Sequence, residues 1–171
     1  GSVVHISADA NDRAITGASS GGICAFTAAW MRPDLFSRVY SAVGTFVAMR
    51  GGNQLPALIR KTDPKPLRIF LQDGEKDAWN ALFGSWWEYN QLMMSALQFA
   101  GYEVDAAWDK GGHSIRYGTL AFNRAMKYLW EGWPKKVEAG KSSNDMLAVI
   151  AQPDEQWRYV ADYSAHRDTL F

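Results

Sequence analysis

The chain is poor in the residues that most often declare a function. It has one cysteine in 171 residues, so no internal disulfide can form. Its three histidines, at 5, 113 and 166, are scattered and offer no metal-ligand spacing. Lys+Arg and Asp+Glu both number 18, giving zero formal charge, and the lack of a basic surplus argues against nucleic-acid binding. No apolar run is long enough to span a membrane, and no signal peptide opens the chain. Internal repeats and low-complexity tracts are absent. The expected partners therefore include no metal, no organic cofactor, no nucleic acid and no membrane.

What remains is enough for one domain with a real core. The eight tryptophans suit either a sugar- or aromatic-binding cleft or a Trp-rich core and rim. Strands are expected at Arg13–Thr16, Arg38–Gly44, Leu67–Gln72 and Tyr102–Trp108. Helical spacing covers Gly22–Met31, Trp86–Ala100 and Thr119–Trp130, with a short helix and a proline-bounded loop in 53–66. Strands alternating with helices point to an α/β fold with a parallel sheet. Residues 1–133 read as the main domain, 134–145 as a linker and 146–171 as a C-terminal extension. Cys24, among Ile23, Ala25 and Phe26, reads as a small buried hydrophobe.

Gly17-Ala18-Ser19-Ser20-Gly21 fits G-x-S-x-G between a strand and a helix. That is the context of a nucleophile elbow, where a sharp turn exposes the serine and its neighbours must lack bulk. Ser20 is a weaker centre, since Ala18 stands two before it. The rival reading is a Gly/Ser-rich turn with Ser19 as helix N-cap. A serine needs a base. His113 follows the last strand in Gly111-Gly112-His113-Ser114, where two glycines are expected to turn the loop sharply. His5 and His166 carry no signature. A carboxylate should orient the base from a loop between serine and histidine. The Leu67–Gln72 strand ends in Asp73-Gly74-Glu75-Lys76-Asp77; Asp77 has the better reach, with Asp73 and Glu75 as alternatives. Asp105 and Asp109 lie on or beside the last strand and fit less well. Arg50, with Gly51-Gly52, is a candidate for a carboxylate or sugar hydroxyls. Trp79, Trp86 and Trp87 flank the acid loop as candidates for an aromatic wall, or else pack the next helix.

The order Ser, Asp, His is that of the α/β-hydrolases. From Asp12 to Trp133 the chain resembles the bacterial esterase branch of that group, which includes feruloyl, acetyl-xylan and enterobactin-type esterases, esterase D and mycolyltransferases. The matching segments are Asp12-Arg13-Ala14-Ile15, Arg32-Pro33-Asp34-Leu35-Phe36, Phe70-Leu71-Gln72-Asp73-Gly74 and Gly111-Gly112-His113-Ser114. The resemblance implies a three-layer αβα fold with Ser19 as nucleophile, Asp77 as acid and His113 as base. It implies the Ser20 N–H as one oxyanion donor and an ester, small or carbohydrate-borne, as substrate. It covers the last two-thirds of such a domain, with the strands ahead of the elbow missing. A longer chain, a partner chain or a swapped copy is then expected to complete the sheet. Acyl transfer to a sugar and a non-catalytic binding module are the alternative functions.

Overall fold

The computed structural model describes residues 6–142. Four strands form one parallel sheet in the order β1 (Ala14–Ala18), β2 (Arg38–Ala42), β3 (Arg68–Lys76) and β6 (Glu103–Gly112). Each lies where an apolar, β-rich run predicts it, with ends shifted by a few residues. Side chains alternate between the two faces as the pleat requires. Val39, Ile69 and Leu71 point to one core, and Tyr40, Ala42 and Phe70 to another.

Helices cover both faces. On the first lie α1 (Ser20–Met31), α2 (Leu55–Arg60) and α3 (Trp86–Phe99), which bury Phe26, Ile59 and Met93. On the second lies α4 (Ile115–Leu129), which buries Ala125 and Leu129. This is the expected three-layer arrangement. A small antiparallel hairpin, β4 (Trp79–Asn80) with β5 (Gly84–Ser85), interrupts the path from β3 to α3. Its two-residue strands are too short for any periodicity to announce.

Three expectations need correction. Helix α4 starts one turn earlier than its apolar spacing suggests, because the Ser114 hydroxyl caps it by accepting from the Arg116 N–H at 3.3 Å. Gly111 and Gly112 do not form a sharp turn; they continue β6, and Gly112 pairs with Lys76. Glycine is needed there for closeness, since a Cβ on Gly111 would lie 2.3 Å from the Tyr117 ring. Cys24 is exposed rather than buried. Helix α1 is apolar around its whole circumference, so spacing alone does not say which side faces the sheet.

Strand β1 is an edge of the sheet, partnered only by β2 among the described residues. Residues 134–137 pack back on the domain: the Asn11 amide donates to the Pro134 carbonyl, and the Val137 N–H donates to Asn11 Oδ1. The expected C-terminal extension, His5 and His166 lie outside the described residues.

Candidate active site

Strand β1 ends in a turn that few residues tolerate. Ser19 adopts φ 56° and ψ −121°, outside the helical and extended regions. Such strain persists where the surroundings over-determine it. Here the Ser19 N–H donates to the Ala42 carbonyl, while the Ser19 carbonyl accepts from Gly22, Ile23 and Thr45 N–H groups. The turn is tight because Gly17 lies against Gly21: a Cβ on Gly17 would sit 2.1 Å from the Gly21 oxygen. The second glycine of the motif behaves differently. A Cβ on Gly21 would meet nothing within 4 Å, whereas one on Gly22 would come within 2.7 Å of Ser41 Oγ. Lack of bulk is thus required at Gly17 and Gly22 but not at Gly21.

Ser19 makes no capping hydrogen bond to α1, so the N-cap alternative does not describe its side chain. Its Oγ instead lies 2.8 Å from His113 Nε2. On the far side of the ring, His113 Nδ1 lies 2.6 Å from Asp77 Oδ1. Nδ1–H donates to the carboxylate and Nε2 is left to accept from the serine hydroxyl, the tautomer that this network selects. The Asp77 side chain is fully buried while His113 keeps about a third of its surface in solvent. The His113 ring is also held by the edge-to-face ring of Trp86, 5.8 Å away.

The rejected carboxylates have other places. Glu75 is exposed, Asp105 pairs with Arg124, and Asp109 accepts from the Gln72 amide and the Gly111 N–H. Asp73 is wholly buried behind Asp77. Its Oδ1 accepts from the Gly74 N–H, and burial together with the neighbouring Asp77 carboxylate pushes its pKa up to about 9. Asp73 is therefore a neutral acid at pH 7 that can hydrogen-bond Asp77.

The remaining candidates separate. The Ser20 N–H lies in the first turn of α1, where donors have no intrahelical acceptor. Trp79 is 72 % exposed on β4, two residues past Asp77. Trp86 is not an exposed wall: it is 8 % exposed, and its indole N–H donates to Thr45 Oγ1 at 3.2 Å. Trp87 packs edge-to-face on Trp108. Arg50 is exposed at φ 51°, and no hydrogen bond joins it to Ser19, Asp77 or His113 among the described residues. One role was missed: the loop 45–53 follows a strand's carboxyl end, where ligands bind in such sheets, but nothing pointed to the hydroxyl of Thr45, whose Oγ1 lies 3.2 Å from Ser19 Oγ. No motif marks it, because its partner is 26 positions away. Among the described residues no cluster of three His, Cys, Asp or Glu forms a metal site, and no helix is long and apolar enough to cross a membrane.

The family model described as "Putative esterase" matches residues 4–129. Among solved structures, a ferulic acid esterase superposes with a TM-score of 0.60 at 19 % identity, over 71 % of this chain and 52 % of that one. The enterobactin esterase of Shigella flexneri, solved with 2,3-dihydroxy-N-benzoyl-glycine, gives a TM-score of 0.60 at 24 % identity, over 73 % and 33 %. An S-formylglutathione hydrolase of Staphylococcus aureus gives 0.55 at 18 %, over 72 % and 53 %. At these identities the likeness is one of fold, an α/β-hydrolase-like fold. The chain spans between a third and about half the length of these structures. No curated protein matches it significantly.

Proposed function

The chain belongs to the esterase family whose model spans residues 4–129, and on that premise we propose that it is a serine carboxylic-ester hydrolase working through an acyl-enzyme. The observation that carries the reading is one unbroken hydrogen-bond path, Ser19 Oγ to His113 Nε2 at 2.8 Å and His113 Nδ1 to Asp77 Oδ1 at 2.6 Å. Ser19 attacks the ester carbonyl while His113 takes its proton. Asp77 holds the imidazole tautomer and stabilises the imidazolium. The Ser20 N–H donates to the developing oxyanion. His113 then protonates the leaving alcohol, and water releases the acyl group by the reverse sequence. None of these steps calls on a metal or an organic cofactor.

The substrate proposed is an acetyl, feruloyl or similar ester of a carbohydrate. The exposed Trp79 ring beside the acid loop supports it, since an open aromatic face suits a sugar or phenolic group. A ferulic acid esterase among the structures of like fold is consistent with it.

We also propose that a further segment, from a longer chain, a partner or a second copy, completes the sheet along β1. The support is the outer edge of β1, unpaired among the described residues, where exposed Ile115 and Phe122 of α4 line an apolar cleft with Thr16 and Gly17. That segment would bring the second oxyanion donor.

Turnover of acetyl and feruloyl esters by the chain, abolished in Ser19→Ala and in His113→Ala, is the expected result. Unchanged turnover in either variant would contradict the assignment.

A further inference from the structure

Ser19 Oγ has two neighbours, and only one of them is the base. The other is Thr45 Oγ1 at 3.2 Å. Taken alone, that contact could run in either direction, because both groups are hydroxyls. A third group removes the ambiguity. The indole nitrogen of Trp86 lies 3.2 Å from Thr45 Oγ1, and an indole N–H can only donate. Thr45 therefore accepts from Trp86, and its own proton is free to point at Ser19 Oγ. His113 Nε2, with Nδ1–H already committed to Asp77, can only accept. The four groups form one directed chain: Trp86 N–H to Thr45 O–H to Ser19 O–H to His113 Nε2.

The backbone supports this placement. Val43, a β-branched residue, is held at φ 41° directly after β2. This is a genuine outlier for such a side chain. Its N–H donates to the Gln72 carbonyl at 2.7 Å, and two residues later the Thr45 N–H donates to the Ser19 carbonyl at 3.1 Å. Thr45 and Trp86 are both buried, at 4 % and 8 % exposure, so water does not compete for the bond between them.

We propose that Thr45 is a further catalytic residue of the site, its hydroxyl donating to Ser19 Oγ so that the nucleophile's proton is directed to His113. The proposal rests on the serine-esterase reading above. As the proton leaves for His113, charge gathers on Ser19 Oγ, and the Thr45 donor stabilises it without giving up its own proton. When the acyl-enzyme breaks down, the same donor meets Oγ as it leaves. Trp86 acts through Thr45 and is a positioning residue.

The test is the rate at which a fluorophosphonate labels the full chain, measured across pH. Thr45→Val should slow labelling by about 10- to 100-fold, the range for hydrogen bonds to a charged group. Thr45→Ser should recover to within about threefold of the parent. Trp86→Phe keeps a ring against His113 and should slow labelling by less, about 3- to 10-fold, the range for a neutral hydrogen bond. The double variant should be no slower than Thr45→Val alone, because both changes cut one chain. The pH of half-maximal labelling should stay in place in all of them, whereas a merely structural disturbance of the loop would move it. Thr45→Ala, with less volume, serves if Thr45→Val fails to fold. Labelling of Thr45→Val or Thr45→Ala within about twofold of the parent, or no recovery in Thr45→Ser, would overturn the proposal while leaving Ser19 the nucleophile. A parent chain that does not label at all would overturn both readings together.

Discussion

Asp73 and Asp77 set two buried carboxyl groups beside each other, and the Oδ2 atom of each finds no hydrogen-bond donor. Two negative charges at that distance, away from water, are costly, and one shared proton removes the cost. Burial, then Asp77, pushes Asp73 up to about 9 from its ordinary 3.8. Asp73 thus stays neutral beside Asp77. The consequence for stability follows from linkage. Between pH values of about 4 and about 9 the unfolded chain has released this proton and the folded chain has not. The folded state binds more protons, so stability falls as pH rises through that window and levels off above it. Asp73→Asn, which keeps a donor toward Asp77, should flatten the decline and raise Tm at pH 8 relative to the parent. Melting curves from pH 4 to pH 10 check this; an unchanged slope in the variant would contradict a neutral Asp73.

The elbow glycines should differ in tolerance. A methyl group at Gly17 would overlap the Gly21 backbone at 2.1 Å, while one at Gly21 has open space. Gly17→Ala should cost about 1–3 kcal/mol or more, the usual penalty of overpacking, and should greatly slow labelling of Ser19. Gly21→Ala should leave Tm unchanged and the labelling rate within about twofold of the parent. Denaturation and labelling of the two variants side by side decide the matter.

Arg38 anchors the lower end of the sheet. It is 1 % exposed, donates to the Leu129 and Asn11 carbonyls and to Asn11 Oδ1, and lies over the Trp130 ring. Arg38→Met would leave buried acceptors unpaired, each costing about 1–3 kcal/mol. A fall in Tm of roughly 4–8 °C is expected for a loss of about 2 kcal/mol, with the labelling rate of the folded fraction unchanged. A Tm within a degree or so of the parent would show that the anchor contributes little.

Trp79 offers the opposite pattern. Being exposed on the short hairpin, it contributes little to the core. Trp79→Ala should raise KM for an aromatic or sugar ester about 3- to 10-fold, matching a stacking contact of about 0.5–1.5 kcal/mol, with Tm unchanged. Steady-state kinetics on such an ester would reveal a role elsewhere if KM did not move.

The frame of this fold was readable because Arg38–Gly44 and Leu67–Gln72 are β-rich runs bounded by turn residues, and the stretches that form α3 and α4 carry apolar residues at helical spacing. Ser19, Asp77 and His113 could be singled out because each follows a strand end, and the structure brings the three together. What the sequence could not show was sidedness. Trp86 and Trp79 are alike as letters, yet one turns its N–H inward to Thr45 and the other faces solvent. Cys24 sits on a helix without a polar face, so nothing in its spacing marks it as outward. Thr45 lies in a loop with no motif, and only the packing of β2 beside β1 carries it to Ser19. Gly111 and Gly112 look like turn residues because closeness and flexibility demand the same amino acid.

The central claim is that Ser19, His113 and Asp77 act as one assembled triad. Intact mass after incubation with a fluorophosphonate, run beside Ser19→Ala and His113→Ala, tests it most directly. A single covalent adduct is expected on the unaltered chain and none on either variant. An adduct that persists in Ser19→Ala, or an unaltered chain that takes up no probe, would contradict it.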